Sequence, residues 1–294
     1  MICDIINKDC VEFLDTTDIK FDLTYLDPPF NQNKNYNSHN DKMEPTEYWN
    51  WMKDVCDKIY KRTNLGGSIY FMQREKNVKE VITVLEETNW IFQNLIIWKK
   101  KSSAVPGANK YGKHYQIIVF ATKGKKPNVF NKLRIDPPLL VTEKHQRENG
   151  MYVTDVWDDI RELTSGYFAG EEPIRTPDGE RFHNQQSPIK LLLRIILSSS
   201  KPGDFVFDPF SGTATTNIVS RQLSRNSTSV EKDDLYFQYC IKRLTEFRNV
   251  DNIDRFKNDY KYTEELEKIW GSPVSIKEFN PPQFTLFEKK IKYK

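Results

Sequence analysis

Short apolar runs alternate with helical patterns along most of this 294-residue chain. The alternation predicts an α/β sheet protein. Strands are expected at FDLTYL, SIYFMQ, IFQNLIIWKK and HYQIIVFATKG, and the last two are close enough in the chain to pair antiparallel. Helices are expected at NVKEVITVLEET and at EYWNWMKDVCDKIYKRTNLGG, the second of which would be ended by Gly66-Gly67.

The composition is that of a folded globular protein. Only 38% of the residues are apolar and 29% are charged, but 18 Phe, 14 Tyr and 6 Trp provide bulky core material. The net charge of +3 is too small to indicate a partner, so local charge has to be considered. The four cysteines show no metal-binding or disulfide spacing, and no window resembles a signal peptide or a membrane span. We therefore expect a cytoplasmic protein with reduced thiols and no metal site.

The periodicity weakens between residues 123 and 182, where prolines, glycines and charges are scattered. We interpret this stretch as a loop-rich insert and not as a linker, because it still contains large aromatic residues. Regular patterns return at Ser187-Pro188, which we expect to cap and begin a helix over IKLLLRIILSSS. The last forty-odd residues have the character of a peripheral extension.

The strand FVFD ends at Asp208, and a loop of small residues, SGTATT, leads from it into a helix. Small residues let a ligand approach the backbone, and a helix N-terminus offers free N–H groups to an anion. Glu231 follows the next strand, where a carboxylate can accept hydrogen bonds from two ribose hydroxyls. Taken alone, the pattern is equally consistent with a tight turn beside a solvated acid.

The strand FDLTYL ends at Asp27, which is followed by two prolines and Phe30. The prolines restrict the backbone and remove two N–H donors, so the neighbouring carbonyls can act as fixed acceptors. A carboxylate, a carbonyl and an aromatic ring together suit a planar ligand with an exocyclic amine, such as a nucleobase. The tetrapeptide by itself slightly favours the simpler interpretation, a turn that ends the strand and is capped by the aspartate.

The motifs LDPPF and DPFSGTATT, in this order, resemble those of the DNA amino-methyltransferases that use S-adenosylmethionine. They are similar to the β class of that family, in which the catalytic motif precedes the cofactor motif. Further segments resemble the class in the expected order, over about residues 5–244: NKDCVEFL, IIWKK with HYQIIVFATKG, HNQQSPIKLLLRIILSSSKPGD and SVEKDDLYFQYCIKRL. Several ordered motifs are far more specific than any one of them.

The resemblance implies a fold: an α/β, Rossmann-like, seven-stranded methyltransferase sheet with circularly permuted motif order. Residues 1–122 would be the catalytic half, 123–182 a target-recognition insert, 183–250 the cofactor-binding half and 251–294 a C-terminal extension. It also implies an activity, the site-specific transfer of a methyl group from S-adenosylmethionine to the N6 amine of adenine in flipped-out DNA. An initial Asp with a final Phe usually accompanies adenine in this family, and cytosine N4 is the alternative.

The resemblance also implies roles for individual residues. Asp27 and the Pro28 carbonyl would accept the two N–H bonds of the amine. Phe30, which follows Pro29 in the chain, would stack on the base after the base leaves the duplex. Asp27 is expected to act ionised and to need no raised pKa. The cofactor would be held by residues from both halves: Asp9, Cys10, Asp27, His183, Asn184, Gln186, Asp208, Pro209, Phe210, Ser211, Gly212, Thr213, Ala214, Thr215, Glu231 and Lys232.

Two positions depart from the family pattern, which usually has glycine at Ala214 and lysine at Ser187. We expect the methyl group of Ala214 to lie next to the cofactor and to weaken its binding without abolishing it. Ser187 is expected to cap the following helix instead.

Contacts with DNA are expected from local basic surface, mainly the stretch WKKKSSAVPGANKYGKHYQ beside the presumed base pocket. A solvated lysine face is the alternative interpretation of such a run. The loop NQNKNYN is expected to order over the substrate. The predicted DNA-binding residues are Lys34, Tyr36, Lys99, Lys100, Lys101, Lys110 and Lys113. A homodimer and a cognate restriction endonuclease are the further partners that the resemblance implies.

Two other functions remain to be separated from this one. An RNA methylase, or a methylase of a protein glutamine amide, usually begins the catalytic tetrapeptide with Asn and places it after the cofactor motif. A non-catalytic subunit that keeps the fold and binds nucleic acid typically lacks the catalytic acid, whereas Asp27 is present here.

Overall fold

The computed structural model describes residues 1–32, 35–36, 39–40, 43–102, 104–136, 148–163, 170–176, 178–183 and 185–272, with the side chains of 35–36 and 39–40 excluded. Its strands are β1 (Cys3–Ile6), β2 (Phe21–Leu26), β3 (Asn35–Tyr36), β4 (His39–Asn40), β5 (Thr63–Arg74), β6 (Ile91–Lys99), β7 (Tyr115–Thr122), β8 (Arg134–Ile135), β9 (Met151–Tyr152), β10 (Val156–Trp157), β11 (Phe205–Asp208) and β12 (Asn226–Val230). Its α-helices are α1 (Cys10–Thr16), α2 (Pro45–Arg62), α3 (Val78–Glu87), α4 (Ile189–Ser199), α5 (Thr215–Gln222), α6 (Asp234–Thr245) and α7 (Leu266–Trp270).

One large sheet organises the molecule, with the strand order β1-β12-β11-β2-β5-β7-β6-β10. Neighbouring strands are parallel except at β7, which runs antiparallel to both β5 and β6, as the short connection predicts. The α/β, Rossmann-like class is confirmed. Seven strands form the expected sheet, and the insert adds the eighth, the two-residue strand β10.

Four parallel strands that are far apart in the chain lie side by side in the order β1, β12, β11, β2. Their carboxyl ends therefore meet at one edge of the sheet, at Asp9, Glu231, Asp208 and Asp27. The register places Asp208 opposite Ser229, and Val230 opposite Ile6, so the polar residues that follow these strands stand in one row. In open α/β sheets this edge is where ligands bind.

The core occupies both faces of the sheet, because successive strand side chains point to opposite faces. On β5, Tyr70 and Met72 join the cluster that contains α4, whereas Ile69 and Phe71 join the cluster that contains α1, α2 and α3. Helices thus cover both faces, as expected for a mostly parallel sheet.

The insert and the chain after residue 250 both pack against α4. Trp157 and Ile160 of the insert belong to its core cluster, and so do Tyr260 and Trp270. The guanidinium of Arg194 on α4 is buried and donates to both carboxylate oxygens of Asp159 at 2.8 and 2.5 Å. The described part of the predicted peripheral extension, up to residue 272, is therefore integrated into the core.

Helix α2 ends at Arg62, four residues before the glycines that were expected to end it. Gly66 and Gly67 lie inside β5 instead. Gly66 has φ of +78°, and a Cβ there would come within 2.2 Å of Asn128 Oδ1, so this glycine permits close approach of another segment. The prediction of a glycine-capped helix end is wrong here.

Ser187 does not cap α4. The N-cap position is Pro188, which makes no side-chain cap, and the free N–H of Ile189 donates to Glu172 Oε1 of the insert at 2.6 Å. The hydroxyl of Ser187 instead donates to Asp27.

No helix in the described part of the chain is long and apolar enough to cross a membrane.

Candidate active site

The row of acids at the sheet edge opens into a cavity of about 1000 Å³, its open mouth included, which we call the first cavity. Pockets of 300–1,000 Å³ are typical of cofactor sites. Its walls come from the ends of β1, β2, β11 and β12, from the loop before α5, and from the chain before α4. The lining residues are Lys8, Asp9, Cys10, Tyr25, Asp27, Pro28, Pro29, Trp51, His183, Gln185, Gln186, Ser187, Leu192, Asp208, Pro209, Phe210, Ser211, Gly212, Thr213, Thr215, Thr216, Val230, Glu231, Lys232, Asp233 and Tyr236.

Two buried carboxylates of the first cavity are held by the backbone around them. Asp208 accepts from the Phe210 N–H at 3.0 Å and from the Thr216 hydroxyl. Glu231 accepts from the Gly212 N–H at 2.8 Å and from the Asp233 N–H at 2.9 Å. Burial raises the pKa of Asp208 to about 6 and that of Glu231 to about 7, although these hydrogen bonds act in the opposite direction. A cationic ligand would favour the charged form of both.

Asp9 lies at the rim of the same cavity. Its carboxylate caps α1 by accepting from the Val11 N–H at 2.9 Å, and its second oxygen accepts from Lys232 Nζ at 3.2 Å. Aromatic rings stand near the rim as well. Trp51 contacts Phe210 edge to face at 5.6 Å between centroids, and Tyr236 contacts His183 at 4.9 Å. The cavity thus combines carboxylate acceptors with flat apolar surface.

The loop from Ser211 to Ala214 enters α5 through an unusual backbone conformation. Ala214, the N-cap residue, is left-handed with φ of +59° and ψ of 26°. A residue other than Gly, Asn or Asp adopts this conformation at a cost of about 1–2 kcal/mol. Its side chain is fully buried in a cluster with Cys3, Ile5 and Cys240 and does not line the cavity, contrary to expectation.

A buried arginine on α6 holds this loop from behind. Arg243 Nη1 donates to the Thr213 carbonyl at 2.6 Å and to the Thr215 hydroxyl at 3.0 Å. Its other nitrogens bind both carboxylate oxygens of Asp251, at 3.0 and 2.8 Å, and both partners are fully buried. Such a bidentate pair is geometrically specific. The loop is therefore fixed by a contact that the sequence motif does not contain.

Asp27 lies deep in the cavity, with part of its surface accessible from it. Its Oδ2 accepts from the Ser187 hydroxyl at 3.0 Å and from the Tyr25 hydroxyl at 3.3 Å. Burial raises the pKa of Asp27 to about 7; the hydrogen bond from Ser187 lowers it and the charge of Asp208 raises it. The expectation that this pKa would not be raised is wrong, because burial next to a second carboxylate disfavours the ionised form.

A second cavity of about 580 Å³ adjoins the first, and Asp27, Gln185, Gln186 and Ser187 line both. Its other walls are Phe30, Met72, Trp98, Lys100, Gln116, Glu162, Leu163 and Arg181. The Arg181 Nε–H is buried and has no hydrogen-bond partner among the described residues. Asp27 therefore stands where two separate ligands can meet.

The loop between β6 and β7, residues 100–114, carries most of the predicted DNA-binding lysines, and we call it the basic loop. The side chains of Lys99, Lys101, Lys110 and Lys113 are exposed, whereas Lys100 lines the second cavity. Glu162 of the insert anchors the loop by accepting from the N–H groups of residues 101 and 102 at 2.8 and 3.0 Å.

The structure brings nearly all the predicted cofactor residues to the first cavity, with Ala214 as the described exception. Pro28 and Pro29 line the first cavity, and Phe30, which is buried, lines the second. Asn184, Lys34 and the side chain of Tyr36 lie outside the described part of the chain.

Sequence reasoning missed several lining residues. In the first cavity these include Tyr25, Trp51 and Tyr236, and in the second Trp98, Gln116, Glu162 and Arg181. Tyr25 and Trp98 had a usable signal, since each precedes the carboxyl end of a predicted strand. Glu162 and Arg181 had none, because the insert shows no periodicity.

A family model for N6/N4 methyltransferases, described as DNA methylase, matches residues 21–242 of the chain. The chain belongs to this DNA methylase family. Type II methyltransferase M.HinfI of Haemophilus influenzae is 29% identical over an alignment of 279 positions, and the match covers 87% of this chain and 72% of the relative. DNA adenine methyltransferase YhdJ of Escherichia coli (strain K12) is 28% identical over an alignment of 242 positions, and the match covers 76% of each protein.

Solved structures share the fold of this DNA methylase. The M1.HpyAVI–SAM complex has a TM-score of 0.58 and 23% identity, and the match covers 83% of this chain and 99% of that one. PvuII DNA methyltransferase, described as cytosine-N4-specific, has a TM-score of 0.60 and 18% identity, with 87% and 90% covered. Relatives of this methylase thus include enzymes named for adenine and for cytosine N4.

Proposed function

We propose that this DNA methylase transfers a methyl group from S-adenosylmethionine to the N6 amine of adenine at specific sites in DNA. The observation that carries the proposal is the place of Asp27, which lines both the acidic first cavity and the aromatic second cavity. The two cavities would hold the methyl donor and the flipped-out base, and their shared wall is where the two reacting atoms would meet.

The first cavity fits S-adenosylmethionine, whose net charge is positive. Burial raises the pKa of Asp208 and of Glu231, so a cation placed beside them is stabilised as it restores their charge. Glu231 would accept from the ribose hydroxyls, Asp9 would face the adenine and the loop from Ser211 would hold the methionine part. When bound, the cofactor supplies a methyl group on a sulfonium sulfur, which leaves as a neutral thioether.

The second cavity fits a base. Phe30 and Trp98 offer apolar ring surface there. Asp27 and the Pro28 carbonyl would accept the two N–H bonds of the exocyclic amine and orient its lone pair. Because the pKa of Asp27 is about 7, its carboxylate is also basic enough to take the proton that the methylated nitrogen must lose.

Adenine is proposed over cytosine because the tetrapeptide begins with Asp27 and ends with Phe30, the combination that usually accompanies adenine in this family. The relative named as a DNA adenine methyltransferase supports the same choice. The test is to methylate DNA with a deuterated methyl donor, digest it to nucleosides and identify the labelled product by mass. Labelled N6-methyl-2′-deoxyadenosine supports the proposal, and labelled N4-methyl-2′-deoxycytidine or unlabelled DNA contradicts it.

DNA would lie across the exposed lysines of the basic loop, with the insert as the target-recognition region. A second copy of the chain and a cognate restriction endonuclease are proposed as further partners, on the strength of the type II relatives. Sequencing the methylated positions identifies the recognised site, and the sedimentation coefficient gives the oligomeric state.

We predict that kcat/KM for methyl transfer falls about tenfold per pH unit below about pH 7 and is level above it. The folded pKa of Asp27 is raised to about 7, so the protonated carboxyl, which accepts amine N–H bonds poorly, accumulates as the pH falls through that value. Initial rates between about pH 5.5 and 8.5 measure the profile, with cofactor affinity determined calorimetrically at each pH. A flat profile at constant cofactor affinity would refute the assignment.

Unfolding cannot explain this predicted loss of activity. The pKa values of Asp27, Asp208 and Glu231 are all raised in the folded protein. Their contribution to stability is therefore fully present below the unfolded pKa, near 4, and is lost as the pH rises through about 6–7. These groups make the ligand-free protein more stable at pH 6 than at pH 8, opposite to the trend in activity.

We predict that Ala214→Gly leaves the dissociation constant for S-adenosylmethionine unchanged within about twofold. The methyl group points into the core, so its removal does not enlarge the cavity. Relief of about 1–2 kcal/mol of left-handed strain is offset by one lost buried methyl group and by the greater freedom of glycine in the unfolded chain. Isothermal titration gives the affinity, and a marked tightening would show that the methyl group does face the cofactor.

A further inference from the structure

We propose that Ser187 and Tyr25 are positioning residues that hold one oxygen of the Asp27 carboxylate and leave the other for the substrate amine. The inference rests on the proposed function, which gives Asp27 the amine as its ligand. It assigns a part in that reaction to two residues that lie outside both motifs of the sequence.

Three hydrogen-bond distances define the arrangement. The Ser187 hydroxyl lies 3.0 Å from Asp27 Oδ2, the Tyr25 hydroxyl lies 2.9 Å from Ser187 Oγ, and Tyr25 Oη lies 3.3 Å from the same Asp27 oxygen. The Ser187 hydroxyl donates to Asp27, and the single Tyr25 proton is shared between the same carboxylate oxygen and Ser187 Oγ. No hydrogen bond from a described residue reaches Asp27 Oδ1. The carboxylate is therefore bound on one side and available on the other.

The position of Ser187 is itself fixed by the insert. Gln186, one residue before, accepts from the Ile174 N–H at 2.9 Å and donates to the Glu172 carbonyl at 3.2 Å. Ile189, two residues after, donates to the Glu172 carboxylate. Both flanks of Ser187 are thus held by the segment from Glu172 to Ile174, and its hydroxyl needs little further ordering to bind Asp27.

Burial and a neighbouring carboxylate raise the pKa of Asp27, and the two hydroxyl groups act against this rise. Asp208, on the neighbouring strand β11, disfavours a second negative charge, whereas Lys100, after β6, favours it. The hydrogen bonds from Ser187 and Tyr25 also favour the ionised carboxylate. Without them the orientation of the carboxylate would loosen, and a larger share of it would be protonated at neutral pH.

The test compares Ser187→Ala and Tyr25→Phe with Ser187→Thr, which keeps the hydroxyl group. We expect Ser187→Ala to lower kcat about 10–100-fold at pH 7 and to move the acidic limb of the pH profile upward by about one unit. The threonine variant should recover most of both effects. Tyr25→Phe should act in the same direction and more weakly, because the Tyr25 hydroxyl lies farther from Asp27 than the Ser187 hydroxyl does.

The chain offers a matched control in a second tyrosine–serine pair, between Tyr70 on β5 and Ser199, the last residue of α4. Tyr70 Oη lies 2.7 Å from Ser199 Oγ, and no carboxylate of the described residues takes part. Ser199→Ala should cost stability and leave the acidic limb of the profile in place. If Ser187→Ala behaves like Ser199→Ala, the role of Ser187 is structural and the inference is wrong.

A second measurement separates this inference from the proposed function. The carboxyl carbon of ¹³C-labelled Asp27, assigned by its absence in Asp27→Asn, can be titrated in the protein without DNA. A higher pKa in Ser187→Ala than in the native protein supports the inference, and an equal pKa contradicts it, whatever the substrate proves to be. Absence of methyl transfer by the native protein would contradict the proposed function alone.

Discussion

Asp27→Ala is expected to lower methyl transfer to DNA by about 10³-fold or more, with the fold intact. The substitution removes the proposed acceptor of the amine N–H bond and the proposed base for its proton. The measurement is incorporation of a labelled methyl group at saturating cofactor and DNA, over a time long enough to detect residual turnover. Cofactor affinity, determined by calorimetry, should change far less, because Asp208 and Glu231 remain in the first cavity.

Asp18→Ala is the matched control, because this aspartate is fully exposed and Arg62, at 3.4 Å, is the one ion-pair partner of its carboxylate among the described residues. It should retain native rates. Turnover by Asp27→Ala within about tenfold of the native rate would exclude the assigned role, since general-base catalysis typically contributes 10²–10⁴-fold. Loss of cofactor binding together with turnover would instead assign Asp27 to the cofactor site.

Arg243→Met is expected to destabilise the protein by about 3–5 kcal/mol, the typical cost of removing one partner from a buried ion pair. The carboxylate of Asp251 would keep only Arg248, and the Thr213 carbonyl would lose its buried donor. For a chain of this size the change corresponds to a fall of about 10 °C in Tm. Because the loop from Ser211 would lose its anchor, we also expect weaker binding of S-adenosylmethionine.

Lys242→Met provides the comparison, since this neighbour on α6 is exposed and, within the described part of the chain, forms an ion pair with Glu246 alone, at 3.8 Å. Its Tm should remain within about 1–2 °C of the native value, as is usual for surface substitutions. Differential scanning calorimetry measures both variants. An Arg243→Met protein that melts like Lys242→Met would show that the buried pair contributes little and that the loop is held by other contacts.

The sequence was informative where local signals coincide with the fold. Phe21–Leu26 is a strand as predicted, because an apolar run ended by two prolines has few alternatives. The acids at the ends of β2 and β11 could be identified for the same reason, since each stands at the end of an apolar run, whereas Glu231 follows the polar strand NSTSV. Their meeting at one edge follows from parallel pairing, which the resemblance implied and the strand order confirms.

The errors concern residues whose role depends on partners far away in the chain. Serine is a common N-cap residue, but the Ser187 hydroxyl donates to Asp27, 160 residues earlier in the chain. Glu172 caps α4 instead, by accepting from the Ile189 N–H. Glycine commonly ends a helix, but Gly66 lies inside β5, where its missing side chain leaves room for Asn128. The raised pKa of Asp27 likewise depends on burial and on Asp208, which lies on another strand.

From its sequence, the chain after residue 250 is predicted to be a peripheral extension. Two aromatic residues, Tyr260 and Trp270, attach it to the core, since both are almost fully buried in the cluster that contains α4. A few anchors in a polar segment produce no periodicity, so pattern reasoning does not detect them. The described part of this region thus packs against α4, the helix that precedes β11.

Glu172 has a consequence for protein engineering. Its carboxylate accepts from the Ile189 N–H and pairs with Arg255 at 2.9 Å, and its carbonyl accepts from Arg248 at 3.0 Å. Residues 170–176 are part of the insert in sequence but are attached to the scaffold behind the active site. A chimaera that exchanges the insert between relatives should therefore place its downstream junction before residue 170, so that the recipient keeps its own cap for α4.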